Sequence, residues 1–541
     1  METPSALVSD RRPARTTAGA VSRSSAALAG IVAGGLAVGL SEWTSGIAKG
    51  VPSLVASVGQ TTIDWSPGSF VHLGIRLLGH DDKAFVVAMV LLICAVAAAA
   101  LGIARRRRRW VAWGGFGLFG LIGVLAAARD HQADVGEVVI AVIFSVGLGV
   151  AAMEVLLKLA PKHVGTEPSP GRGVGVAEPK QISSPSRLSR RAFLAAAASA
   201  GAVAVAAGAT GRRLAHQVAA ASRRKVTLPS VALPVAPPSP ATSVGVPGVT
   251  PIVVSNGDFY RIDTRLLGPP AVDVDTWRLR ITGMVDHPQE LSWDQLVTLP
   301  MIETYLTLQC VSNEVGGNLV GNASWRGVPL SDLLGPAGVH RDADQIVGRS
   351  VDGFTAGFPT TAAFDGRHAL VAVGMNDDLL PLVHGFPARL IVAGLYGYVS
   401  ATKWLTEIEL TRFDAYTPYW VARGWDRMGP ILTESRIDAI APNPPKAGPT
   451  VLAGVAWAPT RGISQVEVQI DTGPWGAAHL ADAISADTWR QWSFPWTATE
   501  GRHLVRVRAT DGQGRTQTAV NAEPLPNAAT GYHTVAVNIL G

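Results

Sequence analysis

The sequence predicts a five-helix transmembrane region, then an α+β domain, then a C-terminal β-sandwich of the immunoglobulin type. Three observations carry this. Of 541 residues, 48% are hydrophobic and only 16% charged, against about 25% charged in ordinary soluble domains. Four apolar stretches near the start match the roughly 20 residues that cross a bilayer. From Ile252 onward the texture changes to short β-type runs separated by Gly, Pro and Asp. The net charge of +5 is unevenly spread: residues 1–225 hold 25 Lys/Arg and 12 Asp/Glu, whereas 226–541 hold 21 and 29. An acidic C-terminal part argues against nucleic acid as a partner, because phosphate binding needs a basic surface. Two cysteines in all exclude a disulfide-stapled small fold.

A cytoplasmic tail, 1–25, precedes four transmembrane helices within 26–160: Ala26–Trp43, Ala84–Ala104, Trp110–Ala128 and Val138–Leu157. The first and third are rich in Gly and Ala, which lets helices approach closely in lipid. Sixteen Lys/Arg fall in the tail, in Arg105–Arg109 and in the linker that begins at Lys158; the opposite loops hold only Lys49, Arg76, Lys83 and Arg129. The positive-inside rule then makes the N-terminus and the linker 161–189 cytoplasmic. Ser189-Arg190-Arg191-Ala192-Phe193-Leu194, followed by small apolar residues, reads as a twin-arginine-like fifth helix over 190–210. The alternative is an ordinary membrane helix with two positive-inside arginines. Either reading carries the rest of the chain out of the cytoplasm, with Arg212, Arg213, Arg223, Arg224 and Lys225 on the outer side. Haem is not expected in the helices, since His72, His80, His131 and His163 all fall in loops or at helix ends. Glu42 and Glu154 lie near helix ends and read as interfacial.

Residues 222–251 contain seven prolines and no aromatic residue, the composition of a semi-rigid spacer. In 252–440, Trp277–Gly283 and Thr304–Cys310 alternate as strands, while Trp293–Leu299 and Leu330–Leu334 read as helical pieces. A proline cluster at 441–448 separates 449–541, where Thr450–Trp457, Ile463–Ile470, Trp489–Trp496, His503–Thr510 and His533–Ile539 alternate as the strands of a sandwich.

Cys310 is the only cysteine after the helices, since Cys94 lies within one. By residue type it is either a small buried hydrophobe or a soft ligand to a metal of higher valence. Its position favours the second: it ends a strand and opens the polar, Gly-rich run Val311-Ser312-Asn313-Glu314-Val315-Gly316-Gly317.

The block Leu308-Gln309-Cys310-Val311-Ser312-Asn313-Glu314, followed by Gly321-Asn322-Ala323-Ser324-Trp325-Arg326-Gly327-Val328-Pro329-Leu330, resembles the sulfite oxidase family of molybdopterin enzymes. So does His384-Gly385-Phe386-Pro387-Ala388-Arg389, continuing to Tyr396-Gly397-Tyr398 and Lys403-Trp404. The resemblance spans about 252–541 and implies one Mo-molybdopterin, an oxygen-atom transfer reaction, and a cysteine thiolate on molybdenum, which falls on Cys310 as the catalytic residue and metal ligand. It places His384 and Arg389 at the pterin and its phosphate, where the arginine fork suits phosphate geometry. It also places Phe259, Tyr260, Arg261, Asp352, Ala401, Thr402 and Lys403 on cofactor-contacting positions, with the loop before Lys403 one residue longer than the family's. The C-terminal sandwich resembles the family's dimerisation domain, which implies a homodimer.

One departure bears on the substrate. Where sulfite oxidases carry arginines four and five residues after the ligand cysteine, this chain has Glu314 and Val315. A carboxylate there repels a doubly charged anion, so a neutral sulfoxide, methionine sulfoxide included, or an N-oxide competes with sulfite as the oxo-donor or oxo-acceptor. Arg461 either supplies positive charge from the sandwich side or is a turn residue. The expected enzyme is thus a multi-pass protein of a bacterial cell membrane, its catalytic domain extracytoplasmic and served by a quinone or a redox protein. The rival class, a non-catalytic membrane scaffold, sits poorly with intact Cys310, His384 and Arg389.

Overall fold

The computed structural model describes residues 20–66, 82–130, 132–163, 187–231 and 234–541. The tail 1–19, most of the linker 161–189, and His72, His80 and His131 lie outside the described residues. The chain divides into two compact units, Met1–Ala215 and His216–Gly541.

The first unit contains α1 (Arg23–Ile47), α2 (Leu54–Trp65), α3 (Asp82–Arg105), α4 (Arg109–Ala127), α5 (Val135–Leu159) and the start of α6 (Arg187–Arg224). The two-residue strands β1 (Ala20–Val21) and β2 (Lys162–His163) pair antiparallel. All of these helices except α2 are long and apolar enough to cross a membrane. Large apolar side chains point outward, among them Leu92, Ile93 and Val96 on α3, Leu125 on α4 and Ile143 on α5, as expected of helices surrounded by lipid. Small residues make the helix contacts: a Cβ at Gly30 would strike the Ala98 carbonyl oxygen, and one at Gly39 the Ala204 carbonyl oxygen.

Three features differ from expectation. α2 arises in a loop, because Ser53 caps it by accepting from the Ala56 amide ahead of a short apolar run. Glu42 does not reach water: it is 5% exposed, accepts one bifurcated hydrogen bond from Ser53 Oγ, 2.7 Å to Oε1 and 2.9 Å to Oε2, and has Arg212 3.9 Å away. α6 also outruns the expected 190–210, spanning 38 residues, about 57 Å. Its second half, rich in Ala and Arg, keeps helical propensity after hydrophobicity ends.

In the second unit the strands are β3 (Arg278–Gly283), β4 (Gln289–Ser292), β5 (Ile302–Gln309), β6 (Val320–Pro329), β7 (Gln345–Ser350), β8 (Thr355–Pro359), β9 (Ala369–Met375), β10 (Asp378–Leu379), β11 (Arg389–Val392) and β12 (Leu405–Thr411). Interspersed helices are α7 (Trp293–Thr298), α8 (Leu330–Ala337) and α9 (Gly397–Ser400). One sheet runs β10-β9-β6-β5 with β11 also on β9; the other runs β4-β3-β12-β7-β8, with β12 and β3 parallel. One buried cluster, including Leu279, Leu306, Trp325, Phe358, Leu390 and Ile408, joins both sheets. Each such side chain stabilises by about 1.5–3 kcal/mol.

Eight further strands form two antiparallel four-stranded sheets. They are β13 (Glu434–Ala441), β14 (Gly448–Trp457), β15 (Ile463–Ile470), β16 (Trp475–Ala477), β17 (His479–Leu480), β18 (Arg490–Ala498), β19 (Gly501–Asp511) and β20 (His533–Ile539). Leu452 and Trp492 from one sheet and Val466, Val468, Val505 and Val507 from the other share a core. β13 pairs with β14, so these sheets begin at Glu434, ahead of the proline cluster taken as the boundary. Val455, Trp457 and Trp489 pack into the core of the preceding sheets. The proline-rich 222–251 does not hang free. Val244 N bonds Gln491 Oε1 at 3.0 Å, Thr250 N bonds Asp438 Oδ2 at 3.0 Å, and Arg326 Nη1 donates to Pro229 O at 2.9 Å.

Candidate active site

Cys310 follows directly on β5, in the loop to β6. Its amide donates to Leu319 O at 2.9 Å and its carbonyl accepts from Asn313 N at 3.0 Å, which closes the loop at both ends. Asn313 Oδ1 accepts from Leu319 N at 2.8 Å. Gly316 has φ +81°, and any Cβ there would strike the His533 ring, so the turn requires glycine. Cys310 is 8% exposed. Burial pushes its thiol up, while hydrogen bonds from Ser312 and the charge of Lys403 pull it down. Such a thiol is a thiolate only when a cation or metal takes its proton's place.

Tyr260 lies beside it. Burial raises the phenol, the proximity of Cys310 raises it further, and Arg389 opposes. Phe259 stacks on Tyr260 at 5.2 Å and meets Trp325 and His384 edge-on. His384 is 2% exposed and its Nε2 meets Asn256 O at 3.0 Å, which makes Nε2 the protonated nitrogen. Burial, then the nearby Arg389, lowers its pKa to about 4, so the ring is neutral near pH 7.

Arg389 begins β11. Its Nη1 donates to His384 O at 3.1 Å, its guanidinium lies 5.2 Å over the Trp325 ring, and its buried Nε has no partner among the described residues. Lys403 Nζ donates to Val383 O at 3.1 Å and faces Asp263 at 3.4 Å; Arg261 faces the same carboxylate at 3.1 Å. Burial lowers Lys403 to about 8, Asp263 raises it, and Arg389 and Arg261 lower it. Two cations, Lys403 and Arg261, thus share one buried carboxylate, Asp263, and Arg389 is near enough to lower Lys403 as well. A positive surplus with an unsatisfied, walled-in N–H fits a phosphate-bearing ligand.

The structure therefore brings Cys310, Phe259, Tyr260, Arg261, His384, Arg389 and Lys403 together. Thr402 is close but engaged: its hydroxyl donates to Gly348 O at 3.3 Å and its carbonyl accepts from Leu390 N. Ala401 N returns to Gly397 O. Asp352 closes its own turn by accepting from Phe354 N at 3.3 Å, although the neighbouring Val351 N bonds Trp404 O. Arg461 is no anion ligand in waiting. It pairs with fully buried Asp511 at 2.8 Å and donates to Ile431 O. Sequence reasoning missed Asp263, Asn256 and Glu434; only Asp263 carried a signal, two residues after Arg261 on the same extended segment.

The profile of the family "Oxidoreductase molybdopterin binding domain" matches residues 266–420, which include Cys310, His384, Arg389 and Lys403. An uncharacterized oxidoreductase, YuiH of Bacillus subtilis (strain 168), is 31% identical over 29% of this chain and 76% of its own length. The mitochondrial sulfite oxidase of Rattus norvegicus is 29% identical over 42% of this chain and 50% of its own; the chain thus spans about half the length of the sulfite oxidases it matches. Among solved structures, the sulfane dehydrogenase SoxCD of Paracoccus pantotrophus aligns at TM-score 0.46 and 21% identity, over 56% of this chain and 88% of that one.

The family match and the sequence relatives define a class: molybdenum-dependent oxidoreductases whose cofactor is Mo-molybdopterin. The chain belongs to the sulfite oxidase-type family of that class.

Proposed function

We propose that the chain is a membrane-anchored, extracytoplasmic enzyme that transfers an oxygen atom at a molybdenum centre ligated by Cys310. The observation that carries this is the convergence of Cys310, Tyr260, Arg389 and Lys403 around one buried spot. When bound, the cofactor supplies two-electron exchange coupled to gain or loss of an oxygen atom. The chain's own residues do the rest. Arg389, Arg261 and Lys403 hold the pterin phosphate; neutral His384 offers the pterin an unprotonated Nδ1; Phe259 and Trp325 exclude water. The sandwich at 434–541 is read as immunoglobulin-like and as the surface of a homodimer. The positive-inside count, with Arg190 and Arg191 heading the fifth helix, orients the second unit outward.

In the oxidase direction sulfite and water give sulfate, two protons and two electrons, which a quinone or redox protein accepts. A second reading is favoured by exposed Glu314 and by Val315 where the family pattern has arginines: a neutral sulfoxide or N-oxide takes two electrons and two protons and leaves as sulfide or amine plus water. Purified full-length protein, assayed with artificial electron acceptors against sulfite and artificial donors against methionine sulfoxide and an N-oxide, separates the two. Molybdenum-loaded protein inactive on all of them rejects both. Reporter fusions at residue 107 and after 250 test the topology: the first active only inside, the second only outside. Replacing Arg190 and Arg191 by Lys strands the second unit inside if the twin-arginine reading holds; unchanged export favours an ordinary helix.

A further inference from the structure

β13 projects two side chains, two residues apart and therefore on the same face, toward the Cys310 loop. Glu434 Oε1 accepts from Gln309 Nε2 at 2.8 Å and from Tyr396 Oη at 3.2 Å. Arg436 Nη1 donates to Gly317 O at 2.7 Å, and its other nitrogens bond Asp438 and Thr250. The first contact grips the residue before Cys310, the second the far side of the same loop. Gln309 is 1% exposed, and its amide is held from the opposite end by Trp457 Nε1, which donates to Oε1 at 2.8 Å.

Glu434 is unusual in its surroundings. It is 7% exposed, and the groups bonded to it are neutral donors rather than a cation; burial raises it to about 7, against the pull of Gln309, Tyr396 and Asn313. A buried carboxylate without a counter-ion is expensive, and a glutamine would satisfy simple domain adhesion at lower expense. What a carboxylate adds is a stronger acceptor: its Oε1 takes both the Gln309 and the Tyr396 donor and fixes the Gln309 amide in one orientation, and with it the main chain that presents the next side chain.

We infer that Glu434 is a positioning residue: from the C-terminal sheets, through Gln309, it sets where the Cys310 sulfur sits. The inference rests on the reading of Cys310 as the metal ligand. A displacement near 1 Å at a reacting centre lowers turnover by up to about a hundredfold, so Glu434→Gln lowers kcat by about ten- to a hundredfold and leaves KM within about twofold.

The test uses the full-length holoenzyme in detergent and compares wild type, Glu434→Gln and Trp457→Phe by molybdenum content, X-ray absorption and Mo(V) electron paramagnetic resonance. Wild type is expected to show three sulfur donors. Glu434→Gln, equally loaded, shows a shifted Mo(V) signal, and Trp457→Phe, which frees the other end of Gln309, a smaller shift of the same sense. Loaded variants with the wild-type signal and wild-type kcat overturn the proposal; if Glu434→Gln does not accumulate, Trp457→Phe decides alone. Two sulfur donors in wild type reject Cys310 as the ligand and the proposal with it, an outcome separate from a clamp that fails around a three-sulfur centre.

Discussion

The guanidinium of Arg389 lies 5.2 Å over the ring of Trp325, and its Nε, sealed from solvent, meets no acceptor among the described residues. A buried N–H without a partner costs about 1–3 kcal/mol, which the proposed contact with the pterin phosphate would remove. Arg389→Ala should therefore lower the molybdenum and pterin content of purified protein by tenfold or more. Arg389→Lys should recover only part of it, because the charge survives and the fork does not. Metal analysis and pterin fluorescence measure both; full loading in Arg389→Ala would place the phosphate elsewhere.

Cys310→Ser tests the proposed ligand. Oxygen for sulfur is nearly isosteric in a site this buried, and the loop bonds to Leu319 and Asn313 are main-chain bonds to residue 310. The variant should fold and keep pterin while turnover falls by about a thousandfold or more, the scale of removing a reacting group. Unimpaired turnover would reduce Cys310 to a packing residue.

Much of this was legible in the sequence, for identifiable reasons. Helices long and apolar enough to cross a membrane are apolar on faces that soluble helices keep polar, so all five could be read from composition. Strands bounded by Gly, Pro and Asp fall close to their expected limits, as Ile463–Ile470 and His533–Ile539 do. Cys310, His384 and Arg389 sit in motif blocks and could be picked out singly. Glu434 and Asn256 could not be placed, because their partners lie 125 and 128 residues away and no local pattern encodes a tertiary pairing; Asp263 could be paired with Arg261 two residues before it, but not with Lys403, 140 residues away. The docking of 222–251 was hidden for the same reason. Its composition reports stiffness, while Gln491 and Asp438, which hold it, lie far along the chain.

Arg461 should matter to stability and not to substrate. Asp511 is fully buried and accepts from Arg461, Thr433 and the Gln513 and Arg515 amides. Burial raises its pKa, and these bonds overcome that and bring it to about 2. A depressed folded pKa contributes stability above the unfolded value of about 3.9 that is lost as pH falls toward 2. Arg461→Ala should cost about 3 kcal/mol, lower the melting temperature by several degrees and shift acid unfolding to higher pH, with KM unchanged. A raised KM and unchanged melting temperature would restore the anion-binding role.

His368 and Asp487 join the two halves of the second unit, Nδ1 to Oδ2 at 2.7 Å. The hydrogen bond to Asp487 raises the His368 pKa, burial opposes, and the charge of Asp487 adds to the rise. A raised folded pKa means the contribution is whole below the unfolded value of about 6.5 and is lost as pH climbs through the folded one. The melting temperature should fall across that interval in wild type and stay flatter in His368→Gln. Parallel curves would show that the pair contributes nothing.

Gly39 and Gly46 let α1 approach α6 until main chain meets main chain: a Cβ at Gly39 strikes the Ala204 carbonyl, and one at Gly46 strikes the Gly211 carbonyl. Backbone cannot yield as a side-chain tip does, so the larger residue must part the helices, and in lipid their attraction is close packing itself. Gly39→Val should lower the detergent melting temperature of the helical unit. Gly35→Val, at a position with open space around it, should lower it far less. Molybdenum content should be unchanged in both, because the cofactor-binding residues belong to the other compact unit. Equal effects of the two substitutions would mean that helix propensity, and not contact between α1 and α6, sets the stability of the bundle.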